Sequence, residues 1–263
     1  MGGTVEFDHI APIYDDTRRP PSETEIQALV EVLANCRTVL DAGVGTGRFA
    51  VPLQARQFDV LGVDLSFEMM RRARAKGIAS LVHADLRHLP LSDQSVDAAF
   101  MAHVLQLIPG PEEVLRELGR VARHVVVILL PEWSERGPSS NWRRLRERYR
   151  ELAAELGYPL PERGKRYRHS LEELSAIAPP KLVRSVEGPA GTAANVSDWL
   201  ARWEARAPVG NEIPPEVHAE IVRRLEAENP IDPTHWARSR TERFVAWDSV
   251  DLRAPTRSER AVT

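Results

Sequence analysis

The sequence predicts an α/β fold: a doubly wound, seven-stranded sheet, mostly parallel with one antiparallel strand, carrying helical insertions. Three observations predict it. Between residues 37 and 130, short runs rich in Val, Leu, Ile and Ala alternate with stretches of helical periodicity, the βαβαβ rhythm of a parallel sheet. Those runs are almost continuously apolar, as strands must be when helices cover both faces. A late run, TERFVAWDSVDLR at 241–253, alternates instead, which suits a closing antiparallel strand.

In chain order, residues 1–36 form a leading segment, irregular at first and then helical over 22–36 with Ser22 as cap. The core at 37–131 holds the first five strands: TVLDA (38–42), FDVLGVDL (58–65), ASLVHA (79–84), SVDAAFMAHV (95–104) and HVVVILL (124–130). Ser66 caps a helix that stops at Gly77, and Pro111 opens another that runs through EEVLRELGRVA. Residues 132–180 are a helical insertion, in which Trp142, Leu145, Tyr149, Leu152 and Leu156 lie on one stripe. KLVRSVEG (181–188) is a sixth core strand. Residues 189–237 are a second helical insertion containing VSDWLARWEAR and PPEVHAEIVRRLEAE, and 238–263 give the last strand and a polar tail.

Composition excludes several classes. With 263 residues, 43% of them hydrophobic, the chain can bury one large core. No run of about 18 apolar residues is present, and the start MGGTVEFDHIAPIYDD lacks a secretory pattern, so a soluble, cytoplasmic protein without a membrane span is expected. Cys36 is the single cysteine, which rules out an intramolecular disulfide and a Cys-rich zinc site. A net charge of -3 exerts no general pull on nucleic acid or anionic lipid. No sequence feature specifies an oligomeric state.

The stretch VLDAGVGTGRFA (39–50) places Gly43, Gly45 and Gly47 between a strand and a helical segment, where a ligand can lie against bare backbone. Dinucleotide sites use G-x-G-x-x-G, and here the third glycine comes one residue early. Two acids follow at strand ends. Asp64 can accept hydrogen bonds from both hydroxyls of a ribose, a need that a dinucleotide site shares. Asp85 can take the amino hydrogens of an adenine whose ring nitrogen meets the Leu86 N–H, with Leu65, Met69 and Leu86 sandwiching the ring.

DAGVGTG, the strand-end acid of VLGVDLS, and HADLRHLPLSDQSVDAAFMAHVLQLI together resemble the class I S-adenosylmethionine-dependent methyltransferases, in particular the group that includes the ubiquinone/menaquinone C-methyltransferases. FDHIAPIYDDTR resembles that group's N-terminal segment, which folds over the cofactor. The resemblance implies a Rossmann-like fold and S-adenosylmethionine as cofactor, with S-adenosylhomocysteine as product and no metal. The turn, with Val44 between its first glycines, then seats the methionine portion, and Asp41 suits its ammonium. Asp64 falls to ribose, Asp85 and Leu86 to adenine, and Met101 and Ala102 to the neighbourhood of the sulfonium. Tyr14 and Arg18 close over the methionine end, which makes 1–36 a cofactor-covering segment, while the two insertions, following strands five and six at the carboxyl ends where an open α/β sheet binds ligands, are expected as lids that roof a closed pocket.

Methyl transfer from a sulfonium is an in-line displacement in which positioning and water exclusion carry much of the catalysis. A base is needed only when the acceptor must lose a proton. His103, just beyond the fourth strand, is the candidate catalytic residue for that role. His83 reads as a satisfied strand histidine, and His124 lies at the remote edge. Glu132 and Trp133 are candidate substrate-pocket residues, while Trp199 and Trp203 share a helical face. The strand-four sequence VDAAFMAH lacks the Asn/Asp-Pro-Pro-aromatic motif of nucleobase amino methylation, and no metal-ligand spacing appears.

A small, partly apolar molecule is therefore the expected substrate. Arginines over 143–168 raise the alternative of an RNA methyltransferase, but Glu147, Glu151 and Glu155 interleave with them, so nucleic acid is not the expected partner. A non-catalytic cofactor binder and a nicotinamide dehydrogenase are the remaining alternatives.

Overall fold

The computed structural model describes residues 7–8, 11–18, 20–131, 139–160, 167, 169–191, 213–228 and 238–253. Seven strands form one sheet: β1 (Thr38–Ala42), β2 (Asp59–Asp64), β3 (Ser80–His83), β4 (Val96–Ala102), β5 (Ala122–Pro131), β6 (Leu182–Gly191) and β7 (Arg238–Asp248). Their spatial order is β3-β2-β1-β4-β5-β7-β6. Strands β3, β2, β1, β4 and β5 pair in parallel, and β7 runs antiparallel to both β5 and β6. The order reverses between β1 and β4. That switch point opens a crevice beyond the carboxyl ends of the strands.

Apolar side chains leave the sheet on both faces, as the continuous runs require. Val39, Phe100, Val127 and Phe244 join one buried layer, with Ile26 and Leu29 of α2 (Glu23–Val32) and Leu53 of α3 (Ala50–Gln54). Leu40, Ala99, Val126 and Trp247 join the other, with Val114, Leu115 and Leu118 of α5 (Pro111–Val121). A short turn of helix, α1 (Tyr14–Thr17), precedes α2. Local signals set the helix ends. Ser22 and Glu25 exchange capping-box bonds at the start of α2. Ser66 accepts the Met69 N–H to start α4 (Phe67–Ala75), and Gly77 stops that segment with φ 96°.

The insertions pack on each other. Leu145, Tyr149 and Leu152 of α6 (Ser139–Glu155) meet Ile221 and Leu225 of α8 (Pro215–Glu228) in a buried cluster. Within it the Tyr149 hydroxyl lies 2.8 Å from His218 Nδ1. Arg148 binds Glu151, Glu155 and Glu228, so its charge is engaged across the two helices. Glu132, Trp133, Trp199, Trp203 and the side chain of Trp142 lie outside the described residues. No described helix is long and apolar enough to cross a membrane.

Two differences from the sequence reading have clear causes. The last strand ends at Asp248, and the expected continuation over 249–253 is a helix, α9 (Ser249–Arg253). Ser249 and Leu252, three apart, are its buried residues, a helical spacing hidden inside the apparent alternation. Leu252 sits over Gly119 of α5, where a Cβ would approach its Cβ to 2.7 Å, and Arg253 Nε donates to the Gly119 carbonyl. The second difference is α7 (Leu171–Ile177), which the sequence reading did not single out although Ser170 and Glu173 form its capping box.

Candidate functional site

The glycine turn is fastened at its base. Both Gly43 and Val44 donate backbone N–H groups to the Val63 carbonyl, at 2.7 and 2.9 Å, which ties the end of β1 to the end of β2. Gly43, Gly45 and Gly47 hold φ of 82°, 54° and 83°, left-handed backbone in which a side chain is strained. Their surroundings differ. A Cβ on Gly43 would lie 2.3 Å from Val104 Cγ2, whereas among the described residues nothing stands within 4 Å of one on Gly45. The turn is therefore closed beneath Gly43 and open above Gly45. Val44 itself is buried, with its methyls packed over Gly62.

Acids end the first three strands. Asp41 on β1 is 3% exposed, and burial pushes its pKa up to about 7, the Asp64 charge adding to the effect. Asp64 on β2 accepts the Gly45 N–H at 2.7 Å and the Ser66 N–H at 2.8 Å. Burial raises its pKa too, opposed by those N–H groups. Asp85, just past β3, is paired with Arg87 and held below its ordinary range chiefly by those side-chain bonds. Leu86 is buried beside Leu89, Leu65 is exposed, and Met69 is buried against Ala11 with Phe7 and Tyr14.

The N-terminal segment lies over this corner. Asp15 accepts from the buried Thr46 hydroxyl at 2.6 Å and pairs with Lys76 at 2.6 Å. Asp8 accepts the Ser66 hydroxyl at 2.5 Å. The Arg18 guanidinium stands 5.1 Å over the Tyr14 ring, so these two sequence candidates touch. Asp8, Asp15 and Thr46 were missed by the sequence reading. The signal available was the acid spacing in FDHIAPIYDD, which has no meaning until the segment is known to fold back.

At the end of β4, Met101 is fully buried in the α5 layer, and Ala102 is half-buried on the opposite side. His103 follows with φ 57°, unusual for a residue with a side chain, and its N–H donates to the Leu129 carbonyl. Its Nε2 is 3.9 Å from Oε1 of Glu242, a fully buried acid on β7 that the sequence reading also missed. Glu242 shares a strand face with Phe244 and Ala246, so an acid in an apolar alternation was the available signal. The later part of the first insertion reaches this end of the sheet: the Tyr167 N–H donates to the Gln106 carbonyl, and His169 Nε2 is 2.9 Å from the Ile108 carbonyl. His83 bonds the Leu65 carbonyl through Nε2, and no cluster of potential metal ligands occurs among the described residues.

A seven-stranded sheet in this order, with a glycine turn and strand-end acids at its switch point, defines the class I methyltransferase architecture. Residues 40–129 match the family described as "Methyltransferase domain", and this segment is a class I S-adenosylmethionine-dependent methyltransferase domain. It is 42% identical over 92 residues to malonyl-[acyl-carrier protein] O-methyltransferase of Hamiltonella defensa, covering 35% of this chain and 36% of that one. It is 34% identical over 142 residues to the ubiquinone/menaquinone biosynthesis C-methyltransferase of Syntrophotalea carbinolica, covering 49% of this chain and 60% of that one. The matches thus span about a third to three fifths of these relatives. A solved structure from Anabaena variabilis, described as a methyltransferase from an antibiotic biosynthesis pathway, superposes with a TM-score of 0.59 at 18% identity, covering 87% of this chain and 98% of that one.

Proposed function

We propose that the protein transfers the methyl group of S-adenosylmethionine to a small, partly apolar molecule. The observation that carries this reading is a turn, open above Gly45 among the described residues, that Asp64 of β2 holds through the Gly45 N–H, with Asp41 of neighbouring β1 close enough to feel the Asp64 charge and Asp85 just past β3 on the far side of β2. The donor set fits the cofactor. A buried acid with a raised pKa suits an ammonium, bare backbone at Gly45 admits the methionine portion, and a carboxylate already held by two N–H groups suits ribose hydroxyls. When bound, the cofactor supplies the electrophilic methyl. The chain's own part is to hold the reactants in line, worth several kcal/mol of barrier, and to keep water out beneath the N-terminal segment and insertions. Leu65 and Leu86 are the apolar contacts for adenine, and Tyr14 and Arg18 cover the methionine end.

A small acceptor is favoured over RNA because Arg148, within the arginine-rich helix, is engaged by three glutamates. Arg150 donates to the Leu160 carbonyl. The relatives named above carry acyl-carrier-bound and quinone substrates in their names, which supports a small acceptor group as well. Calorimetry of the full chain with S-adenosylmethionine and with NADH tests the cofactor. Transfer of labelled methyl into small phenols and carboxylic acids, with bulk tRNA in parallel, tests the acceptor. Binding of NADH alone overturns the proposal. Cofactor binding without transfer indicates a non-catalytic binder, and steeply salt-dependent labelling of tRNA indicates the RNA reading.

A further inference from the structure

Three independent features meet at His103: its backbone is held left-handed at φ 57°, its N–H is fixed to Leu129, and Nε2 lies 3.9 Å from a carboxylate with no exposed surface. Left-handed backbone at a residue with a Cβ is strained and concentrates at functional positions. A buried carboxylate is costly unless it faces a cation or a strong donor. Glu242 is locked in place from both sides, opposite Pro131 on β5 and Val186 on β6.

We infer that His103 and Glu242 form a proton-accepting pair: His103 takes the acceptor's proton, Glu242 is the positioning residue, and the acceptor bears an ionisable O–H or N–H. This rests on the methyltransfer reading of the site. In the step, the acceptor's oxygen or nitrogen forms a bond to the methyl carbon while the carbon–sulfur bond breaks and its electron pair stays on sulfur. The acceptor's proton passes to the imidazole. The positive charge that leaves the sulfonium thus reappears as imidazolium, and the Glu242 carboxylate faces it across 3.9 Å.

Among the described side chains, Asp97 on β4 and Arg123 and His124 on β5 lie at the opposite strand ends, and Asp41 ends β1. Arg243 follows Glu242 and so projects from the other face of β7.

The first test needs no turnover. In NMR titrations of the full chain, the His103 imidazole should titrate at least about one unit higher in wild type than in Glu242→Gln, a tenfold difference in proton affinity. Glu242→Asp, which keeps the charge, should recover most of the difference. Equal titration in folded wild type and Glu242→Gln overturns the pair. The second test uses labelled S-adenosylmethionine with a panel of small phenols, carboxylic acids, primary amines and tertiary amines. His103→Asn, which tolerates left-handed backbone, should lower kcat about 10²- to 10⁴-fold with little change in KM. Glu242→Gln should lower kcat at least about tenfold, and Glu242→Asp should restore part of it. Labelling confined to tertiary amines or to carboxylic acids, which reach neutral to basic pH with no proton left to lose, overturns the inference. So does an unchanged kcat in His103→Asn. Absence of S-adenosylmethionine binding in calorimetry overturns the reading of the site itself, whereas intact cofactor binding with no His103–Glu242 coupling overturns the pair alone.

Discussion

Alanine at Gly43 and at Gly45 separates what the turn does for folding from what it does for a ligand. Both positions are left-handed, at φ 82° and 54°, so each alanine costs about 1–2 kcal/mol in backbone strain. At Gly43 the new Cβ would also lie 2.3 Å from Val104 Cγ2 and 3.3 Å from Val104 Cβ and Cγ1. Either Val104 or the turn must move, and overpacking of that kind costs about 1–3 kcal/mol more. At Gly45 nothing among the described residues stands within 4 Å, so the strain is the cost expected there. Gly43→Ala should therefore lose about 2–5 kcal/mol and Gly45→Ala about 1–2 kcal/mol in urea melts of the ligand-free protein.

The order reverses for ligand binding. The methyl of Gly45→Ala occupies the open space in which the methionine portion would approach bare backbone, and S-adenosylmethionine affinity should fall at least about tenfold, or about 1.4 kcal/mol, in calorimetry. Two results refute the reasoning. One is a Gly45→Ala variant as unstable as Gly43→Ala. The other is a Gly45→Ala variant that binds S-adenosylmethionine as wild type does, which would place the ligand elsewhere.

Asp64→Ala removes the carboxylate that Gly45 and Ser66 hold in place; S-adenosylmethionine affinity should drop by about 1.5–3 kcal/mol, and unchanged affinity would remove Asp64 from the ribose. Asp41, raised from 3.8 to about 7, binds its proton more tightly when folded than when unfolded. Its contribution to stability is fully present below about pH 4 and lost as pH rises toward 7, so urea stability of the ligand-free chain should fall across that window in wild type and stay flatter in Asp41→Asn. Tyr149→Phe breaks the contact with His218; about 1 kcal/mol is expected, read as roughly 2–4 °C in a thermal melt. An unchanged melt would show that the hydroxyl contact adds nothing to the apolar packing and the Arg148–Glu228 pair that join the two helices.

The sheet was legible because its strands are buried on both faces, which leaves apolar runs such as HVVVILL that no surface segment would carry. Helix starts at Ser22, Ser66 and Pro111 were legible because a cap is written within a few residues. What escaped needed distant partners. Asp15 gains meaning only when it meets Thr46, 31 positions away, and Asp8 only when it meets Ser66, 58 positions away. Glu242 looked like one polar residue of an alternating strand, and its importance comes from β7 lying beside β5, which brings it to His103. The helix at 249–253 escaped because five residues are too few to distinguish alternation from a three-residue spacing, and Gly119, the small residue that admits Leu252, lies in another element.

The charge distribution of the crevice also decides between the two ligands that a glycine turn invites. Asp41 and Asp64 are both buried with raised pKa values; Asp41 is raised further by the charge of Asp64, and Asp64 by that of Asp8. A dinucleotide would bring a doubly charged pyrophosphate into that negative field and sharpen the repulsion. A ligand carrying an ammonium relieves it, so the carboxylates that destabilise the ligand-free crevice at neutral pH become binding energy for a cation. Asp85 is the contrasting case, since its exposed pair with Arg87 is the kind worth only about 0–1 kcal/mol and can be exchanged for an adenine amino group at little cost. With the site residues assigned as proposed, electrostatic selectivity would lie at the methionine end of the cofactor, beside Asp41 and Asp64, rather than at the adenine end beside Asp85.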